Sequence, residues 1–487
     1  MIVRNGMVAL PGHDDFTRAD LRIEDGRFIE IAQRLDPASG EDVVDASGLL
    51  VFPGAIDPHV HFDEPGFTHR EDFLHGTSEA AKGGVTTVVD MPCTSLPPVT
   101  TAAAFDNKLG IVGKSAVVDY ALFGGVSGHT VEASLGAGSA VDAGSPGGPA
   151  GAPGEMAALA ERGVVGFKCY FISGMDTFTR VTHDDFARIV READRVGRPV
   201  LLHAEDLDYV TAATARIKAA RGNGAPEWMD YALSRDEASE TVAVASALAL
   251  AAGREASLHI VHVGTAAAAR LVAATEATCE TCAHYLAFSR EDFDGSGGRP
   301  ARGASLKTMP VVKARGEADA IWELLAMGDI DFVTSDHAPA QAEEKETGNP
   351  WTAYGGIPGT GTMFPYLLSE GYFAGRLTLP RLLEASSAAA ARRYGLSARK
   401  GSIEVGKDAD FVLVDPAATT TLKGEELFSK GKITPFEGMV FKGRIAATWL
   451  RGHPVYDART RDAAGRPSGG RIVAAPGTGK FLRWGYR

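Results

Sequence analysis

The chain is predicted to fold as a parallel (β/α)8 TIM barrel that carries a small β-sandwich domain formed from both chain termini. Three observations predict it: about eight apolar strand-like runs alternating with helix-period segments, a β-only pattern before them, and the return of that pattern after residue 400. With 487 residues, 45% of them hydrophobic, the chain can bury one large core and an appended smaller one.

Residues 1–52 alternate apolar and polar positions between turn signals at Asn5-Gly6 and Glu24-Asp25-Gly26, a pattern of short antiparallel strands. Residues 53–399 are expected to hold the barrel, with strands at 55–60, 85–90, 117–123, 164–170, 199–203, 257–263, 277–282 and 330–335. Between them, apolar residues at 3–4 spacing mark helices at 72–82, 184–196, 237–252, 266–274 and 314–327. From Lys400 a turn leads into the buried-strand run Phe411-Val412-Leu413-Val414, and 446–450 and 454–456 read as further strands. Residues 400–487 are therefore expected to join 1–52 in the composite β-sandwich domain. The Gly-, Ala- and Pro-rich stretch 135–154 cannot bury a core and reads as a surface loop, with a substrate lid as one use for it.

The formal charge, 49 − 62 = −13, argues against nucleic acid and anionic membrane as partners, since both are bound through Lys and Arg. The N-terminus lacks a secretory leader pattern, and the longest apolar helix candidate, 241–252, is too short to span a bilayer, so a cytoplasmic protein is expected. Cys93, Cys169, Cys279 and Cys282 are too few and scattered for a disulfide framework. Cys279-Glu-Thr-Cys282 has half the spacing of a zinc knuckle but no second pair, so buried, reduced thiols are the expectation.

Chemistry concentrates at the strand ends. The first barrel strand runs out in Asp57-Pro58-His59-Val60-His61, and strand alternation points His59 and His61 the same way. Alone, such a pair is either a metal clamp or two hydrogen-bonded histidines at a polar strand end. In a parallel barrel the C-terminal strand ends share one mouth. The fourth strand carries Lys168, the fifth ends in His203, the sixth contains His262 and the eighth ends in Asp336. Their convergence favours the metal reading for all six.

Lys168 lies in the apolar run Val164-Val165-Gly166-Phe167-Lys168-Cys169-Tyr170, where an unpaired ammonium costs several kcal/mol and burial lowers its pKa. A neutral amine can take up carbon dioxide as a carbamate able to bridge two cations; the alternative is a lysine that snorkels or pairs with a carboxylate. His259, three residues before His262, falls on the opposite face of its strand, and His284 reads as a core histidine. His337, beside Asp336, is positioned either to hydrogen-bond substrate or to serve the structure.

These residues resemble the cyclic amidohydrolases of the amidohydrolase superfamily, which include allantoinases, hydantoinases (dihydropyrimidinases) and dihydroorotases. The resemblance runs through Pro53-Gly54-Ala55-Ile56-Asp57, Gly83-Gly84-Val85-Thr86-Thr87, Gly166-Phe167-Lys168, His203-Ala204-Glu205, His259-Ile260-Val261-His262, Ser335-Asp336-His337-Ala338-Pro339, Gly356-Ile357-Pro358-Gly359 and Lys400-Gly401-Ser402-Ile403. It implies two Zn2+ per subunit, His59, His61 and Asp336 on one, His203 and His262 on the other, and N6-carboxylated Lys168 bridging them. It also implies attack by a metal-bridging hydroxide on a cyclic amide, Asp336 as the catalytic proton shuttle, and a homo-oligomer, tetrameric or dimeric.

The ring is less sharply indicated. Dihydroorotases of this family read a substrate carboxylate with an Arg in H-x-H-x-R-E-P-G and an Asn in K-x-N-P-P. This chain has Asp63 and Met309 there, which disfavours dihydroorotate unless Arg70 substitutes. Asp63 is a candidate acceptor for a ureide or imide N–H. Ser173, after the lysine, is the candidate ring contact of the allantoinase and hydantoinase pattern, although Gly361 and Met309 depart from allantoinases as well. Allantoin- or hydantoin-like rings come first and dihydroorotate second. A non-catalytic family scaffold is the reading from another class, and such scaffolds usually lack several ligands.

Overall fold

A computed structural model describes residues 1–136, 153–459 and 470–487. Its centre is a barrel of parallel strands in two hydrogen-bonded sets. Ala55–Val60, Val85–Asp90 and Asp119–Leu122 form the first; Gly124–Gly125, Phe167–Tyr170, Val200–His203, Leu258–Ile260, Thr278–Cys282 and Phe332–Thr334 form the second. Asp119–Leu122 and Gly124–Gly125 are halves of one strand interrupted at Phe123, whose N–H reaches Asp90 O at 3.1 Å while Gly124 N–H reaches Gly166 O at 3.0 Å. The other seam closes where His337 bridges Val60 in parallel and His61 N–H donates to His337 O at 2.8 Å. The barrel thus has the eight strands read from sequence, and the site ligands stand at its C-terminal rim.

The connecting helices form where local chemistry starts and stops them. Asp72 caps Phe73–Lys82 by accepting from His75 N–H at 2.8 Å. A Thr182/Asp185 capping box opens His183–Val196, Gly197 ends it at φ 65°, and Phe186, Ile189, Val190 and Ala193 make the stripe that faces the barrel. Glu237–Leu250, Ala266–Ala273 and Glu317–Met327 fill the other expected positions.

The β-domain is one nine-stranded hydrogen-bonded sheet drawn from both ends of the chain. Its main path runs Arg471–Ile472, His453–Asp457, Val440–Leu450, Phe411–Thr421, Leu50–Pro53, Ile2–Val8, Thr17–Glu24, Arg27–Ala32, with Val43–Asp45 also on Ile2–Val8. It encloses Val3, Leu21, Phe28, Val51, Phe411, Leu413 and Trp449. The expectation of purely antiparallel strands needs correction, because Ile2–Val8 pairs in parallel with Val43–Asp45 and Leu50–Pro53. The hairpin of Thr17–Glu24 and Arg27–Ala32 occupies one edge of Ile2–Val8, so the returning chain adds to the other edge in the same direction.

Asn5-Gly6 likewise is a bulge inside a strand, not a turn. Asn5 has φ 64°, its N–H reaches Asp20 Oδ1 at 2.8 Å, and the register shifts between Val3 and Gly6. Glu24-Asp25-Gly26 does turn, with Asp25 and Gly26 both at positive φ.

The chain returns to the barrel at its end. Tyr120 N–H donates to Lys480 O at 3.0 Å, Leu482 N–H to Tyr120 O at 2.7 Å and Trp484 N–H to Gly163 O at 3.0 Å. Beside this contact Lys400 Nζ is buried among Asp119 and Asp410, each at 2.6 Å, and Asp408 at 3.0 Å, with Arg451 also on Asp119 and Arg399 on Asp408. Of the 135–154 stretch read as a loop or lid, 137–152 lie outside the described residues. No described helix is long and apolar enough to cross a membrane.

Candidate metal centre

Six side chains predicted from five strands stand together at the rim. His59 Nε2 and His61 Nε2 lie 3.2 and 3.3 Å from the same oxygen of Asp336, and these three form a group able to hold a metal ion. His262 stands between the two halves of the site, its ring centroid 5.3 Å from that of His59 and 4.6 Å from that of His203. Lys168 is fully buried with its Nζ 4.9 Å from the Tyr170 ring centroid.

Three polar atoms of this group, Lys168 Nζ, His59 Nε2 and His262 Nδ1, are buried without a hydrogen-bond partner. Orphaned buried donors and acceptors are costly, and imidazoles beside a carboxylate are the donor set divalent metals take. The residues therefore fit the metal ions that the sequence implies.

The backbone is strained to make this convergence. Asp63, His262 and Asp336 all hold positive φ, at 55°, 42° and 48°. Such conformations cost non-glycine residues on the order of 1–3 kcal/mol each and cluster at functional sites. Electrostatics follows burial and neighbours. Burial holds His59 and His262 well below the usual imidazole range and lowers His203, leaving neutral rings with lone pairs for a metal. Burial also lowers Lys168, against the pull of Cys93, Asp336 and Glu280. For Asp336, burial acts upward, but His59, His61 and His262 outweigh it and hold the carboxyl well below its ordinary range, hence ionised.

Three of the four histidines, His59, His203 and His61, are met from behind by residues that sequence reading missed. His59 Nδ1 is bound to Glu280, which also meets His259 Nε2 at 3.1 Å. His203 Nε2 donates to Glu205 at 2.9 Å, and Glu205 pairs with Arg235 at 2.9 Å, so Nδ1 of His203 is left for a metal. His61 Nδ1 faces weaker partners, Thr94 Oγ1 at 3.4 Å and Cys93 Sγ at 3.6 Å. Glu280 lies in the Cys279-Glu-Thr-Cys282 run, and a carboxylate inside an apolar strand is the same signal that exposed Lys168. The flanking thiols are free and buried.

A cleft of about 230 Å3 opens over the centre, lined on its far side by Cys93, Tyr170, Ile172, Met175, Met309 and Tyr354. Met309 thus faces the cleft, as the sequence proposed for a substrate neighbour. Ser173 also lines it, but its hydroxyl donates to Phe178 O at 2.7 Å and accepts from Met175 N–H at 3.1 Å, closing its own turn instead of reaching for a ring.

Asp63 does not line the cleft. It is buried with both oxygens unpartnered, and burial above all pushes its carboxyl up to about 7. His337 is not a substrate neighbour either. Its Nε2 meets Glu71 at 3.1 Å and its Nδ1 accepts from Gly359 and Thr360 N–H at 3.1 and 3.3 Å, so the ring serves the barrel seam. His259 stacks on Phe332 at 5.2 Å, off the metal side.

Residues 50–455 match the model of the amidohydrolase family. The chain belongs to the amidohydrolase family. It is 39% identical to the allantoinase of Rubrobacter xylanophilus over 99% of this chain and 97% of that one, and 37% identical to the allantoinase of Solibacter usitatus over 97% and 96%. Among solved structures, the L-hydantoinase (dihydropyrimidinase) of Arthrobacter aurescens superposes with a TM-score of 0.87 at 28% identity, covering 99% of both chains. The amidohydrolase keeps at its strand ends a group able to hold a metal ion, where a non-catalytic family scaffold would usually lack several ligands. In its barrel the metal-compatible group sits at the strand ends where hydrolytic chemistry belongs.

Proposed function

We propose that this amidohydrolase opens an uncharged cyclic ureide or amide of the allantoin or hydantoin kind. One observation carries the choice of an uncharged ring: among the described residues lining the cleft there is no arginine or lysine. Arg70, the cation that would have to read a substrate carboxylate, is held by Glu344 at 2.5 and 2.8 Å and stacks on Tyr354 at 4.5 Å. A ring carboxylate would find no guanidinium or ammonium in this lining to pair with. The allantoinase names of the relatives point the same way.

We assign two zinc ions to the site, His59, His61 and Asp336 holding one, His203 and His262 the other, and carboxylated Lys168 lying between them. The buried, unpartnered Nζ of Lys168 and its lowered pKa support the carbamate, because only a neutral amine captures carbon dioxide. Bound there, the ions would supply Lewis acidity at the scissile carbonyl and acidify a water molecule.

The chain's own part is positional and protonic. The apolar wall excludes bulk water and orients the ring. Asp336, ionised and at 9% exposure the most open of the six, takes the proton of the attacking water on its carboxylate and returns it to the departing amide nitrogen as the C–N bond breaks. A C–O bond replaces it, giving a carboxylate and a free amide or amine end. The acidic charge suits a soluble cytoplasmic protein, and the resemblance alone supports a homo-oligomer.

The test is a panel of allantoin, hydantoin, dihydrouracil and dihydroorotate assayed with the zinc-loaded protein. At least one uncharged ring should open, with kcat/KM about 100-fold or more above dihydroorotate. Preference for dihydroorotate, or no opening of any ring, refutes the reading.

A further inference from the structure

Lys345 is buried and makes no described contact to a carboxylate. Its Nζ instead donates to three backbone carbonyls: Gly356 O at 2.6 Å, Lys307 O at 2.7 Å and Tyr354 O at 3.2 Å. Three carbonyl oxygens thus surround one nitrogen, while burial, and then the neighbouring Lys307, hold this amine well below the usual lysine range. A position asked only to fill space would carry Met or Leu and avoid burying a polar group.

The carbonyls belong to two chain segments far apart in sequence, and both supply the cleft: Met309 lies two residues after Lys307, while Tyr354 is itself an acceptor and Gly355 lies between it and Gly356. Few other bonds join them. Gly356 N–H donates to Lys307 O at 3.1 Å, and Lys307 Nζ donates to Ala353 O. Gly356 is seated so closely that a Cβ would stand 2.4 Å from Ala338 O, so the segment cannot shift toward that side. On the outer side, Tyr354 N–H donates to Glu344 O at 2.9 Å, one residue before the lysine.

We propose that Lys345 is a positioning residue, whose Nζ ties the Lys307, Tyr354 and Gly356 carbonyls together and so sets the wall of Met309, Tyr354 and Gly355 against which the ring binds. The inference rests on the proposed function, in that the ring must occupy this cleft. Lys345 lies outside the metal ligands, so its loss should act on binding and not on metal or bond breaking.

The variant Lys345→Met keeps the stem and removes the nitrogen that meets the three carbonyls. With the best substrate of the panel, KM should rise about tenfold or more while kcat stays within about threefold and zinc content is unchanged. A KM within about twofold of the parent, or loss of zinc, would overturn the proposal.

Amide hydrogen exchange supplies a readout independent of turnover. Residues 353–356 should exchange as slowly as the barrel strands in the parent enzyme and faster in Lys345→Met; fast exchange in the parent overturns the idea even where the variant does not fold. If the parent opens no ring at all, the functional reading fails on its own, and the exchange comparison still decides whether Lys345 holds the wall.

Discussion

Lys168 bears the heaviest demand on any single residue here. It is buried on an apolar strand with no hydrogen-bond partner for its nitrogen, a state that costs several kcal/mol unless the amine is changed chemically or bound to something. Lys168→Ala should therefore bind less metal and lose about 1000-fold or more in kcat, and a short carboxylic acid should restore part of both by occupying the space of the carbamate. Full activity in the variant would end the carbamate assignment. Asp336→Asn separates the two roles given to that carboxylate: zinc content should be largely kept while kcat falls about 100- to 10,000-fold. An unchanged kcat would remove Asp336 as the proton carrier.

At this scale the sequence was most legible where a rule of geometry applied. Strand alternation and the shared barrel mouth place His59, His61, Lys168, His203, His262 and Asp336 without any coordinates. Ser173, His337 and Asp63 each lie just past a strand end, where the chain leaves periodicity and alternation no longer says which way a side chain faces. Asp336 itself stands at φ 48°, and that turn sends His337 into the seam behind the site instead of toward the cleft. Tyr354, on an irregular segment, and Lys345, at the end of the four-residue helix Ala342–Lys345, carry no periodic signal either.

Among the elements, the joint between barrel and β-domain is the most exposed to a single change. Lys400 begins the return to the β-domain and is held by Asp410 and Asp408 from that side and Asp119 from the third barrel strand. Removing one partner of a buried charge group leaves the others uncompensated, at about 3–5 kcal/mol. Lys400→Met should thus lower the denaturant midpoint by that amount in free energy while leaving the metal site, at the other end of the strands, with its normal zinc content. A midpoint equal to the parent's would show that Arg451 and Arg399 neutralise the three acids unaided. The helices were readable from apolar residues at 3–4 spacing, and the structure adds Asp72, Thr182 and Gly197 as the residues that start and stop two of them. The parallel pairing of Ile2–Val8 was not, because hydrophobic alternation gives a strand's faces and not its neighbours.

For the whole molecule, the barrel gathers distant residues at one rim, and the β-domain closes over the opposite end of the third strand. Neither alternation nor composition reveals the cleft's wall, which decides what the site accepts; that wall is loop backbone held by Arg70, Lys307 and Lys345. Ring opening should depend on metal held by the six convergent side chains. The direct measurement is turnover of the best uncharged ring by protein stripped with a chelator and then reloaded with zinc. Stripping should abolish turnover, and activity should return in step with zinc up to about two equivalents per chain. Turnover that survives complete removal of metal would contradict that dependence.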